Sequence, residues 1–371
     1  MDALHSRYQG CLLGLAAGDA LGYTVDSKSY DEIRRDYGPG GLLGYDLVNG
    51  YAQISSHTQL AAYVTNGLLL GITHGQRTGK MAPFIQYIRF AQQEWGTAQR
   101  SRRVPDNARC WVSHVSPLRQ RCSTDSYLAD TLRREQTGTM EEPINRYCSP
   151  AALTAALPVG LFFHPNRMEI PEIGTLASQA VALTQGDSAA CLSGAVLAFA
   201  IAGIIQEPDC PMELQLSQAA EAVAGLFGRE YPAALELEKQ VYYAITLAGS
   251  GEFSHPDALN RLRCFTAPQV LCGAVYACLA SLGDFDAAMT IAVNHSGRSA
   301  AVGALTGALL GARLGKEGLQ QFYMDGLEVS PYLLELAEDL AQGCPMEQAS
   351  GLFDDAWDSK YTHGEAPKLD F

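Results

Sequence analysis

The ten cysteines include no Cys-x-x-Cys pair, strand-like alternation is scarce, and positive charge is in deficit, with 26 Lys and Arg against 40 Asp and Glu for a net charge of −14. Each shortage removes a class of protein. Without paired thiols the chain lacks the usual ligand spacing of a zinc ribbon or a dithiol redox motif. Cysteines lying inside apolar runs read as small buried hydrophobes, and an even count does not argue for a disulfide framework in a chain of 371 residues. The acidic balance repels a phosphodiester backbone, so no nucleic-acid partner is expected. No basic segment followed by a signal-type apolar run opens the chain, and the apolar stretch from Leu192 to Ile205 falls short of the ~18 to 20 residues that read as a membrane span. A cytoplasmic protein without a membrane partner is the expectation.

What is plentiful is apolar residues at helical spacing. They recur through 8-YQGCLLGLAAGDALG-22, 59-QLAAYVTNGLLLGI-72, 151-AALTAALPVGLFF-163, 189-AACLSGAVLAFAIAGII-205, 269-QVLCGAVYACLASL-282 and 300-AAVGALTGALLG-311. The pattern predicts an all-α fold of many helices. Turn signals at 39–41, Asn49-Gly50, Glu207-Pro208 and His255-Pro256 are too short to be linkers. A single domain over 1–353 is therefore expected, with 354–371 as a polar, loosely docked tail.

Two glycine series stand out. Gly10, Gly14, Gly18 and Gly22 recur every fourth residue, as do Gly303, Gly307, Gly311 and Gly315, so each helix bares a strip of backbone. A glycine inside a helix costs about 0.5 to 1 kcal/mol relative to alanine, and close packing of another helix is the simplest offset. These two helices are expected to cross near the middle of the domain.

Other features are weaker. Between Arg89 and Arg121 seven arginines (89, 100, 102, 103, 109, 119 and 121) face only Glu94 and Asp106, which makes either a solvated helix face or a dock for an anionic ligand or partner. In 74-HGQRTGKM-81 the glycines are too close, and no Ser or Thr follows Lys80, for a phosphate loop. Asp354, Asp355 and Asp358 read as a solvated acidic patch. Cys191 and Cys264 have no base beside them to make a nucleophilic thiol.

Three stretches carry a family pattern in order: 10-GCLLGLAAGDALG-22, 54-ISSHTQLAAY-63 and 294-NHSGRSAAVGALTGALLGARLG-315. They resemble the ADP-ribosylglycohydrolases, of the dinitrogenase reductase-activating glycohydrolase type, and 184-TQGDSAACLSGAVLAFAIAGI-204 looks like that family's central helix pair. The resemblance implies a compact all-α domain whose cleft holds two magnesium ions, which orient ADP-ribose and help water attack its anomeric carbon. It also exposes departures. Where the family reads Thr-Asp-Asp-Thr, this chain reads Ser55-Ser56-His57-Thr58, and for Gly-Asp-Ser-Asp-Thr it reads Gly297-Arg298-Ser299-Ala300-Ala301. Asp26 falls near the family's acidic loop residue, one methylene shorter than the usual glutamate. The asparagine-glycine and methionine-arginine pairs before a proline are missing from 149-SPAALTAALPVGL-161.

Magnesium is a hard cation that prefers oxygen ligands in near-octahedral array, and four of the family's carboxylates are gone. No metal ligands and no cofactor are therefore expected here. Arg298, always protonated and fork-shaped, enters beside the start of a helix and its free N–H groups, which describes an anion site. Ser55, Ser56, His57, Thr58, Asp19, Asp26, Arg298 and Ser299 are the candidate ligand-binding residues. The ligand is an ADP-ribose-like or other phosphate-bearing small molecule, with a protein partner as the alternative. Arg298 could instead pair with Asp19 or Asp26 and plug the hollow. Three functions compete: a pseudoenzyme; a metal-independent hydrolase with His57 as general base and Asp26 as its partner; and a structural scaffold.

Overall fold

Glycines at a four-residue spacing set the centre of the fold. The computed structural model describes residues 3–101, 104, 106–122, 126–133, 137–163, 168–347 and 350–367. In it the first helix, Ala3–Tyr23, lies antiparallel along the glycine-rich helix Ser299–Leu314. A methyl placed on Gly10, Gly14 or Gly18 would land on the carbonyl oxygen of Gly311, Gly307 or Gly303, and the reverse substitutions meet the reciprocal carbonyls. Gly22 lies against the carbonyl of Ser299. The expected crossing is thus a backbone-to-backbone seam, and every side chain it could have carried is absent because no room exists for one.

Eighteen α-helices and no strand occur among the described residues, with two isolated bridges, Val48–Tyr51 and Glu347–Leu352. The chain is all-α, as its periodicity requires. Buried apolar residues from Tyr8 to Tyr361 join in one cluster. The helix Ser188–Gln206 runs through that cluster, and the sequence reading understated it: its nineteen residues carry no charge and are long and apolar enough to cross a bilayer. In the fold 78% of its most apolar window is buried against protein, so neighbouring helices cover its surface.

The C-terminal stretch also departs from expectation. Asp354 caps the helix Asp355–Tyr361 by accepting from the Trp357 N–H at 2.8 Å. The Trp357 indole N–H donates to Thr73 Oγ1 at 2.8 Å, Tyr361 is fully buried, and Lys360 pairs with Glu335 at 2.7 Å and Asp339 at 2.6 Å. Asp358 is 6% exposed and pairs with Arg77 at 3.5 Å, so it does not belong to a solvated patch. Composition suggested a loose tail; two aromatic anchors and one lysine pin its helix down. Residues 368–371 lie outside the described residues.

Candidate functional site

The C-terminal end of the first helix, the start of the helix Ser56–Thr78 and the start of the glycine-rich helix meet at one place. The glycine seam brings them there, since Gly22 abuts Ser299 and the Ser27 N–H donates to the Gly297 carbonyl at 3.1 Å. All the candidate site residues fall in this junction.

Asp19 sits fully buried beneath the Ser56–Thr78 helix. It accepts from the Ser55 N–H at 2.9 Å, Ser55 Oγ at 2.5 Å, the Thr58 N–H at 3.1 Å and Thr58 Oγ1 at 2.5 Å. The carboxylate therefore occupies the end of the helix where free N–H groups would otherwise attract an anion. Ser55 is the cap residue, its hydroxyl accepting from the His57 N–H at 3.2 Å. Burial pushes the Asp19 carboxyl up to about 6, against the four bonds that favour its ionised form.

Asp26 does the same for the second helix. One of its oxygens accepts from the Ala300 N–H at 3.1 Å, and the other faces Arg298 Nε at 3.3 Å. The Asp26 and Arg298 side chains are 10% and 20% exposed. The Arg298 main chain is fixed as well, its N–H donating to the Cys264 carbonyl at 2.9 Å. Of the two partners the sequence allowed for Arg298, Asp26 is the one paired with it, while Asp19 is committed to Ser55 and Thr58.

His57 is 1% exposed, and burial first, then the Arg298 charge, push its imidazole down to about 3. Its Nδ1 has no hydrogen-bond partner among the described residues, and both Asp26 oxygens are engaged elsewhere. A ring so placed is neutral near pH 7 and a poor proton acceptor. Ser56, Thr58 and Ser299 are likewise closed to solvent, and Ser299 Oγ has no hydrogen-bond partner among the described residues. Elsewhere, burial pushes the Cys191 thiol up to about 12 and raises Cys264 well beyond its ordinary value, which leaves neither as a thiolate near neutrality.

The donor set at this junction does not fit a magnesium pair. Both carboxylates are spent on helix caps, Ser55 Oγ donates to one of them, His57 offers a nitrogen, and Arg298 brings a fixed positive charge. Among the described residues no group of three or more His, Cys, Asp or Glu is arranged to hold a metal ion.

Sequence reasoning missed Gln59. Its buried amide Nε2 donates to the carbonyls of Pro117 and Gln120, both at 2.8 Å, while its Oε1 accepts from Trp95 Nε1 at 3.0 Å and Gln99 Nε2 at 2.8 Å. This one side chain ties the 117–120 segment to the first turn of the site helix. The only signal in the sequence was an amide opening the apolar run 60-LAAY-63. Within the basic stretch between 89 and 121, Glu94 is buried and accepts from the N–H groups of Arg109 and Cys110, and Arg102 and Arg103 lie outside the described residues.

Comparison with known proteins agrees with this architecture. The ADP-ribosylglycohydrolase family model matches residues 1–350. A solved structure described as an ADP-ribosylglycohydrolase-related protein complex superposes with a TM-score of 0.58 at 20% sequence identity, covering 92% of this chain and 99% of that one, which is a likeness of fold. No curated protein matches the sequence. With the family model matching residues 1–350 of 371, the chain belongs to the ADP-ribosylglycohydrolase family.

Proposed function

We propose that this chain is a non-hydrolysing member of its family, a pseudoenzyme that acts by binding. The observation that carries the reading is the Asp26 carboxylate seated on the Ala300 N–H and paired with Arg298. In the family resemblance, Arg298 and Ala300 take the places of two metal-binding aspartates. An internal ion pair therefore supplies there the charge balance that metal and carboxylates would otherwise provide. Burial of Ser55, Ser56, His57, Thr58 and Ser299 supports the same reading, because a substrate would have to part these helices to reach them.

The alternative of a metal-independent hydrolase needs His57 to accept a proton, and a buried imidazole beside a guanidinium resists that. A purely structural role differs from the proposed one only in lacking a ligand. The test is incubation of the full chain with ADP-ribosylated proteins and small ADP-ribosyl conjugates, with and without magnesium, monitored by release of ADP-ribose. No release is expected under either condition. Turnover that disappears in Asp26→Asn or His57→Ala would overturn the proposal.

A further inference from the structure

The segment that Gln59 holds down forms one wall of a cleft of about 490 Å³, lined by Arg119, Arg121, Gln53, Asn49, Tyr51 and Glu328 among others. It is separate from the Asp26–Arg298 junction, whose residues do not line it. In a chain of net charge −14, a cleft lined by two arginines and one carboxylate, Glu328, is locally basic in composition. Arg121 is exposed and makes no ion pair among the described residues. The backbone presenting these arginines is fixed in advance: Gln59 bonds the Pro117 and Gln120 carbonyls, and Gln99 Nε2 adds a second bond to Gln120 at 3.2 Å. A ligand need not order that backbone on binding, which lowers the cost of association.

From this geometry we infer that the cleft is a binding site for a phosphorylated sugar or a similar phosphate monoester bearing hydroxyl groups. Arg121 suits the phosphate, since a guanidinium fork matches its oxygens in paired, charge-assisted bonds, and Arg119 on the same wall adds positive charge beside it. Glu328, Gln53 and Asn49 supply acceptors for hydroxyl protons, and the single carboxylate disfavours a polyanion. A second cleft, of about 610 Å³, shares Tyr51 and Glu328 with the first and adds Tyr332 and Leu327, so a larger group attached to the sugar has an aromatic and aliphatic surface to lie on. The inference deepens the reading of the chain as a binder and depends on it only in taking the ligand to be held rather than cleaved.

Calorimetric titration of the full chain with ribose 5-phosphate, inorganic phosphate and ribose tests it. Ribose 5-phosphate should bind more tightly than phosphate, and ribose not measurably. Arg121→Ala should weaken ribose 5-phosphate at least about tenfold, the loss of one charge-assisted bond, with an unchanged melting temperature because the side chain is exposed. Glu328→Ala should leave phosphate binding intact or stronger and reduce the advantage of the sugar. Arg119 is half-buried, so Arg119→Ala is read only alongside its melting curve. No heat with either phosphate compound at millimolar concentration, or equal affinity in wild type and Arg121→Ala, overturns the site. The two proposals fail separately: release of ADP-ribose from ADP-ribosyl conjugates would refute the absence of catalysis while leaving the cleft assignment standing.

Discussion

Two buried titratable groups at the junction pull stability in opposite directions with pH. Asp19 has a folded value near 6 against an ordinary 3.8, so the folded state holds more protons between them, and stability from this group falls as pH rises from about 4 to 6. His57 has a folded value near 3 against 6.5, so here the unfolded state holds more protons, and stability is complete above 6.5 and lost as pH falls towards 3. Each shift is worth on the order of 3 to 5 kcal/mol at about 1.4 kcal/mol per unit. Urea unfolding at pH 4 and pH 7 should therefore show a steeper acid loss in Asp19→Asn than in wild type and a shallower one in His57→Gln. Identical pH slopes in all three would mean that these groups are more hydrated than their burial states. At this scale the sequence was half legible: the missing carboxylates and the added arginine could be read directly. The choice of Asp26 over Asp19 as the partner of Arg298 could not, because it depends on Asp19 being held by Ser55 and Thr58, residues 36 and 39 positions away.

At the scale of elements the seam between the first and glycine-rich helices was almost fully legible, because a four-residue glycine period has few uses outside close helix contact. Gly18→Ala drives a methyl into the Gly303 backbone, with no flexible side chain there to yield. Overpacking typically costs about 1 to 3 kcal/mol, and this site belongs at the upper end because main chain must move. Gly203→Ala, on the central helix where a methyl meets open space, should instead be neutral or stabilising. Thermal unfolding of the pair distinguishes steric conflict from simple helix propensity: equal shifts would argue against a tight seam. The Gln59 hub was invisible beforehand, since its four partners come from Trp95, Gln99, Pro117 and Gln120, and no local pattern announces such a meeting.

Over the whole molecule the fold class was readable from periodicity alone, whereas the fate of the last segment was not. Polar composition suggested weak attachment, but Trp357 and Tyr361 are buried, at 3% and 0% exposure, within the common core. Trp357→Ala should cost about 3 to 5 kcal/mol and raise amide exchange both in Asp355–Tyr361 and around Thr73, which receives the indole hydrogen bond. Exchange rising in the terminal helix alone would show it to be an appendage. The antiparallel seam carries a temporal consequence too. Residue 10 has no mate until residue 311 has been made, so during synthesis on the ribosome the bare backbone strip of the first helix must wait for most of the chain. Nascent chains halted before residue 299 should accordingly stay protease-sensitive throughout their leading segment, maturing only once the late helix emerges.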